Sequence, residues 1–443
     1  MRRFVPPRVG GEQPAARVSV HVLLRRLAAG GAAVAVLSAA FLPAAPGARA
    51  AALPGRAAGH PAHATTRHLA RAATGGALLA WGDGASGQLG NGTTTDRHLP
   101  AAVHLPVTTK ITEVRAGCFH TVALTSTGKV LAWGFNNLGQ LGNGTNTDST
   151  TPVKVTLPVG VKVTQVRAGC FDSLALTSTG KVLAWGANDF GQLGNGTTVD
   201  SDVPRNVSLP NGTTVKAIAA GEAHSLALTS TGQVLAWGFN ADGELGDGTT
   251  TNRHRPVSVA LPAGASVTGI AAGEFHSLAI TSTGGALAWG FNNQGELGNG
   301  TDQPSDVPVP VSLPTGTTVK AVIAGCEHSL AITSAGQVLA WGFNADGELG
   351  NGTTTDSTTP ILASLPAGTT VKAIRAGCFH TVALTSGAQI LAWGLGDNGR
   401  LGDGGTESSD VPVLVKLPAG TVPAAVGAGP TAPVSFAIVR PVS

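Results

Sequence analysis

The sequence predicts an all-β protein, a seven-bladed β-propeller of four-stranded antiparallel blades, with the ring closed by N-terminal and C-terminal half-blades. Three observations carry that expectation. Seven tryptophans, Trp81, Trp133, Trp185, Trp237, Trp289, Trp341 and Trp393, stand 52 residues apart without one insertion. A repeat of that length matches a propeller blade better than a helical repeat. No stretch places apolar residues at a 3.6-residue spacing, so almost no helix is expected. The repeat also starts and stops in mid-unit, as ring closure by two half-blades requires.

The unit starting at Arg115 reads RAGCFHTVALTSTGKVLAWGFNNLGQLGNGTNTDSTTPVKVTLPVGVKVTQV. In the next copy, Val163–Ala168 is the first strand, and Gly169-Cys170-Phe171 turns the chain. The second strand, residues 173–177, alternates with Leu174 and Leu176 on one side. Ser178-Thr179-Gly180 is a hairpin turn in which glycine supplies a positive φ. The third strand, residues 181–186, sets Leu183 and Trp185 on one face and small Ala184 on the other. The loop ANDFGQLGNGTTVD follows, then a fourth strand near residues 203–207 and Leu209-Pro210. So small a sheet cannot bury both faces alone, and stacking blades around an axis solves that. The body opens in mid-unit on a third strand, residues 76–82, and ends on degenerate first and second strands, residues 422–426 and 434–440. Together they complete the seventh blade. The tryptophans form a structural ladder, one large ring per blade.

Composition agrees. Of 443 residues 42% are hydrophobic and 12% charged, so a disordered chain is excluded. The 62 glycines follow no three-residue period and serve turns. The formal charge of +3 is misleading. Residues 1–50 hold seven arginines and one acid, Glu12, whereas residues 75–443 hold 18 basic and 24 acidic residues. Arg25-Arg26 precede an apolar stretch from Leu27 to about Ala45, and Ala48-Arg49-Ala50 offers a small-x-small cleavage site. Residues 1–50 therefore read as a signal peptide cleaved near Ala50, by the general or the twin-arginine route. The alternative is a membrane anchor left uncleaved, for which the stretch is only marginally long. Residues 51–74 read as a flexible lead-in and residues 75–443 as the propeller. The expected location is extracellular, with no stable membrane insertion after cleavage.

The pattern AGxxHSLALTxxGxVLAWGxNxxGQLGxG, seen at residues 220–248 with Glu244 for the glutamine, resembles the regulator of chromosome condensation repeat. The resemblance covers about residues 75–443. Members of that family are seven-bladed propellers. They include nuclear guanine-nucleotide exchange factors for a small GTPase, and a secreted bacterial inhibitor of class A β-lactamases belongs to the same superfamily. The resemblance implies a binding platform, and the fold does not choose the partner.

His120, His224, His276, His328 and His380 recur in the turn, with Asp172 in the second copy. They stand in different blades, whereas zinc needs ligands converging on one point. A hydrogen bond to the local backbone is the expected role. TSTGKVLAW resembles the tryptophan-docking repeat of quinone-dependent dehydrogenases, but its Trp is one residue too far on and Leu124 replaces the expected Asp. Asn240–Glu244 is loosely like a calcium loop without the 12-residue spacing. No triad or carboxylate pair is poised for catalysis. No enzyme, cofactor or metal is expected. The Asn-Gly-Thr sequons read as turns.

Cys118, Cys170, Cys326 and Cys378 occupy one place in their units, in two neighbouring pairs, with Glu222 and Glu274 at that place between them. Export favours disulfides, of which adjacent-blade bonds are the sensible ones. Four small buried thiols are the other reading. The turn after the first strand and the loop after Trp should share one end of the ring. That end is the candidate binding face: Phe119, Phe135, Phe171, Phe190, Phe239, Asp242, Phe275, Phe291, Phe343, Asp346 and Phe379. Exposed, these make an aromatic, mildly acidic rim; otherwise they pack between blades. The expected function is an exported, non-enzymatic, monomeric scaffold that binds a protein or a cell-surface ligand, and not nucleic acid. An inhibitor of an extracellular enzyme and a nucleotide-exchange factor are the alternatives that the resemblance implies.

Overall fold

The structure is a computed structural model that describes residues 77–442. The expected signal peptide, residues 1–50, and lead-in, residues 51–74, lie outside the described residues. Twenty-eight strands form seven four-stranded antiparallel sheets, the architecture that the 52-residue spacing predicts. Blade 1 consists of Ile111–Ala116, His120–Thr125, Val130–Gly134 and Ser149–Lys154. Blades 2 to 6 open on Val163–Ala168, Val215–Ala220, Val267–Ala272, Val319–Ala324 and Val371–Ala376. Blade 7 joins Thr421–Gly427 and Val434–Pro441 to Ala77–Gly82 and Arg97–Ala102. The ends are joined by an unbroken register from Ala77↔Val439 to Gly82↔Val434. Among the described residues, the one helical segment is the 3-10 turn Asp397–Gly399.

Every first strand neighbours the first strands on both sides, including blade 7 against blade 1, so these strands line the axis. The second and third strands are buried along their lengths, because both their faces meet another blade. The hydrophobic core is thus seven inter-blade layers. In one of them Trp133 of blade 1 packs with Leu78, Val434 and Phe436 of blade 7.

All seven indoles are fully buried. Burial removes water from each ring N–H, so each finds a carbonyl across the blade interface. Trp185 Nε1 donates to Gln140 O at 2.9 Å and Trp289 Nε1 to Glu244 O at 2.8 Å. At the seam Trp81 Nε1 donates to Arg400 O at 3.0 Å, so the ladder continues through the closure. Gly142 shows why the accepting loop is glycine-rich. It has φ 62°, and a Cβ there would stand 2.6 Å from Trp185 Nε1.

The two ends of the ring carry different connections. Phe135 N donates to Phe119 O at 2.9 Å, which joins the long loop after Trp to the turn after the first strand. Val163 N donates to Gly128 O at 3.0 Å, which joins the hairpins and the blade-to-blade connections at the other end.

Candidate binding face and its supports

A buried asparagine organises each long loop in blades 1 to 5. Asn136 Oδ1 accepts Leu141 N at 2.8 Å, and its Nδ2 donates to Thr145 O at 2.7 Å and Thr147 O at 3.0 Å. Asp148 Oδ1 accepts Asn136 N at 2.7 Å and closes the loop base. Asn188, Asn240, Asn292 and Asn344 repeat the arrangement around Leu193, Leu245, Leu297 and Leu349. In blades 6 and 7, glycine stands there instead, Gly396 and Gly84. The loops are therefore fixed from inside, and their outward residues vary on a rigid frame.

Those outward residues include the phenylalanines. Phe119, Phe135 and Phe171 form one arc, with ring centroids 5.7 to 6.4 Å apart. Phe190, Phe239, Phe275 and Phe291 form a second, beginning with an edge-to-face contact of 5.1 Å. Phe343 and Phe379 pair at 5.8 Å. Apart from Phe291, each ring both packs on its neighbour and stays partly exposed, so the two sequence readings combine. Phe291 is the correction: it is 7% exposed and belongs to the packing, with the Phe275 ring edge-on at 6.3 Å.

Charge is segregated between the two ends. The long loops and turns of the aromatic end contain nineteen of the 24 acidic residues of 75–443 and one basic residue, Arg400. Arg400 is itself 7% exposed, among Asp83, Asp96, Asp346 and Asp397. Asp242 and Asp346 are half-buried, and burial raises both carboxyl pKa values. The opposite end carries Lys110, Lys129, Lys154, Lys162, Lys181, Lys216, Lys320, Lys372, Lys416 and Arg440, all exposed, and no acid in its hairpins and connections. Averaged over the chain these ends nearly cancel, which is why the composition shows only a mild acidity.

The histidines brace blade against blade. His120 Nε2 lies 2.9 Å from Ser173 Oγ, and Ser173 Oγ donates to Gln140 O at 3.0 Å. The hydroxyl donates to the carbonyl, so the imidazole supplies the proton between them and Nε2 carries its hydrogen. His224, His276, His328 and His380 make the same contact with Ser277, Ser329, Thr381 and Ser435 at 2.7 to 3.2 Å. The expected partner was local backbone; the actual one is a hydroxyl 53 or 55 residues on, in the next blade. Burial pushes His120, His224, His276 and His328 down to about 3, so they are neutral supports. The sequence signal was a serine or threonine directly after each histidine position.

Cys118 and Cys170 are bonded across blades 1 and 2, with Cα atoms 4.5 Å apart, and Cys326 and Cys378 across blades 5 and 6 at 4.4 Å. They sit in an inter-blade ring of backbone bonds around the axis: Cys170 N to Glu222 O, Glu222 N to Glu274 O and Cys326 N to Cys378 O. Glu274 stands beside the second pair, whose bonded sulfurs have no thiolate to offer a metal. In the calcium-like loop, Glu244 folds back to accept Asp242 N at 3.0 Å, and burial raises its pKa to about 8. A protonated carboxyl is a poor ligand for a hard cation.

A family model for the RCC1-like domain matches residues 77–437. The chain belongs to the RCC1-like domain family. This RCC1-like chain is 32% identical over 350 residues to the ultraviolet-B receptor UVR8 of Arabidopsis thaliana, covering 79% of this chain and 80% of that receptor. It is 35% identical over 274 residues to the human E3 ubiquitin-protein ligase HERC2, covering 61% of this chain and 6% of the ligase. The crystal structure of Prp20p from Saccharomyces cerevisiae matches with a TM-score of 0.75 and 25% identity, covering 87% of this chain and 97% of that one. Prp20p binds Gsp1p and histones. Among the described residues, no helix is long and apolar enough to cross a membrane.

Proposed function

We propose that this RCC1-like propeller is an exported, non-enzymatic scaffold that holds a basic protein partner on its aromatic end. One observation carries the reading: half-exposed phenylalanine arcs lie within loops whose one basic residue is buried. Aromatic side chains supply contact area at low entropy cost, and uniform acidity selects the partner and speeds its approach. A protein occupant is supported by Prp20p, which binds proteins. Export is supported by the leader pattern of residues 1–50 and by two inter-blade disulfides, which persist in oxidising compartments.

Two measurements test the two halves. The N-terminus of protein recovered from culture medium is expected at Ala51; an intact Met1 on cytoplasmic protein overturns export. Immobilised propeller is expected to retain a basic protein at 50 mM salt and release it as salt rises. The double variant Asp242→Lys with Asp346→Lys should lose it with little change in melting temperature. Retention unaltered by that variant overturns the assignment of the face.

A further inference from the structure

We propose that the axial channel, independently of the aromatic end, holds a phosphate-class dianion between blades 6 and 1. Arg115, Arg167 and Arg375 project from the same place on the first strands of blades 1, 2 and 6. Glu113 Oε1 accepts Arg115 at 2.8 Å and Arg167 at 2.7 Å, and its Oε2 accepts Val166 N at 3.1 Å. Among the described residues, no carboxylate forms an ion pair with Arg375. Arg375 donates one N–H to Ile374 O at 2.7 Å, and its Nε is buried without a partner. Among the described residues, Glu113 is the one acid acting on Arg115 or Arg375.

Blade 7 opens the space between them. Its first strand places Ala425 in the register of Glu113 and Gly427 in that of Arg115. The seam blade therefore adds neither charge nor bulk, and a cavity of about 310 Å³ remains, lined by Thr112, Glu113, Arg115, Thr164, Gln165 and Arg375 among others. Gln165 commits its Oε1 to Ile218 N at 2.8 Å, which leaves its amide donors to the cavity.

Three guanidiniums and one carboxylate leave two positive charges uncompensated. Confining such charge without a counterion is costly. A phosphate monoester carries about −1.5 to −2 at pH 7 and matches guanidinium forks bidentately. The Gln165 amide on the wall adds donors for a tetrahedral oxyanion, while the Thr112 and Thr164 hydroxyls donate to Leu124 O and Leu176 O. The route in is from the lysine end, where exposed Lys216, Lys320 and Lys372 stand on the channel strands and raise the local anion concentration. At the other mouth stand Glu222 and Glu274.

The test uses mature protein at pH 7.5, titrated with inorganic phosphate and with phenyl phosphate against NaCl of equal ionic strength. Melting temperature and ³¹P line broadening are read. A saturable rise in melting temperature, and broadening with both probes, is expected. Broadening by inorganic phosphate alone restricts the site to the free ion, and a stronger response to phenyl phosphate assigns it to an ester. Arg375→Gln should weaken binding by about tenfold or more and raise the phosphate-free melting temperature. The general salting effect of phosphate persists in that variant, so the difference between the two proteins is the readout. Should Arg375→Gln not fold, the surface variant Lys216→Gln/Lys320→Gln/Lys372→Gln is expected to slow phosphate association. No broadening with wild-type protein, or an equal response in Arg375→Gln, overturns the proposal.

Discussion

Glu244, Glu296 and Glu348 show how one buried atom can change a residue's chemistry. They stand where Gln140 and Gln192 stand in blades 1 and 2, and each accepts a backbone N–H two residues earlier at 3.0 Å. Burial pushes all three carboxyls up to about 8, so at neutral pH they are protonated and imitate the amide. Their unfolded value is about 4.5. Between those values the native chain holds protons that the unfolded chain releases. The stabilisation is therefore complete below about pH 4.5 and is lost as pH rises through about 8. The triple variant Glu244→Gln/Glu296→Gln/Glu348→Gln should match wild type at pH 4.5 and exceed it at pH 8.5, by on the order of 5 kcal/mol per site. A wild-type stability that stays flat from pH 5 to pH 8.5 would refute this. The glutamine-to-glutamate alternation was legible in the repeat; the protonation was not, because it depends on a neighbouring blade that no local pattern reveals.

At the scale of strands and blades, the repeat exposed nearly everything regular. The first strand of blade 2 is Val163–Ala168, as the alternation predicts. Its fourth strand, Ser201–Asn206, begins two residues before the expected start. Ser201 pairs with Gly186 across a register shift, and a bulge of that kind leaves no apolar signature. The histidine partners were missed for a related reason, since a 53-residue offset becomes a contact only when blades stack. The cysteines are the element-scale test. Each disulfide closes a 52-residue loop, which restricts the unfolded chain by about 4 kcal/mol in the entropic model. Cys326→Ala/Cys378→Ala should lower stability by about 2–4 kcal/mol and leave the fold intact. Neighbouring blades without a bond are already held by the backbone ring through Glu222 and Glu274. A denaturation midpoint unaffected by reductant would mean that the sulfurs are unpaired.

For the whole molecule, closure was readable from the phase of the repeat, and the hydrogen-bonded seam at Ala77–Gly82 is its physical form. The distribution of charge was not readable from totals. Separating nineteen acids at one end from ten exposed cations at the other makes the propeller an electric dipole along its axis. Such a particle has two complementary ends on one line. Contacts between copies would be head-to-tail and would not close into a dimer, so the growing object is an open-ended column. At about 0.01 M salt the screening length is roughly 30 Å, and at 0.15 M about 8 Å. Light scattering should therefore report mass that climbs with protein concentration in dilute buffer, without a dimer plateau, and a monomer at physiological salt. A mass that ignores ionic strength would show that the dipole is too weak to act between molecules. If it does act, adsorption to any charged support would also present a single end to solution, the lysine end on a cationic bead and the aromatic end on an anionic one.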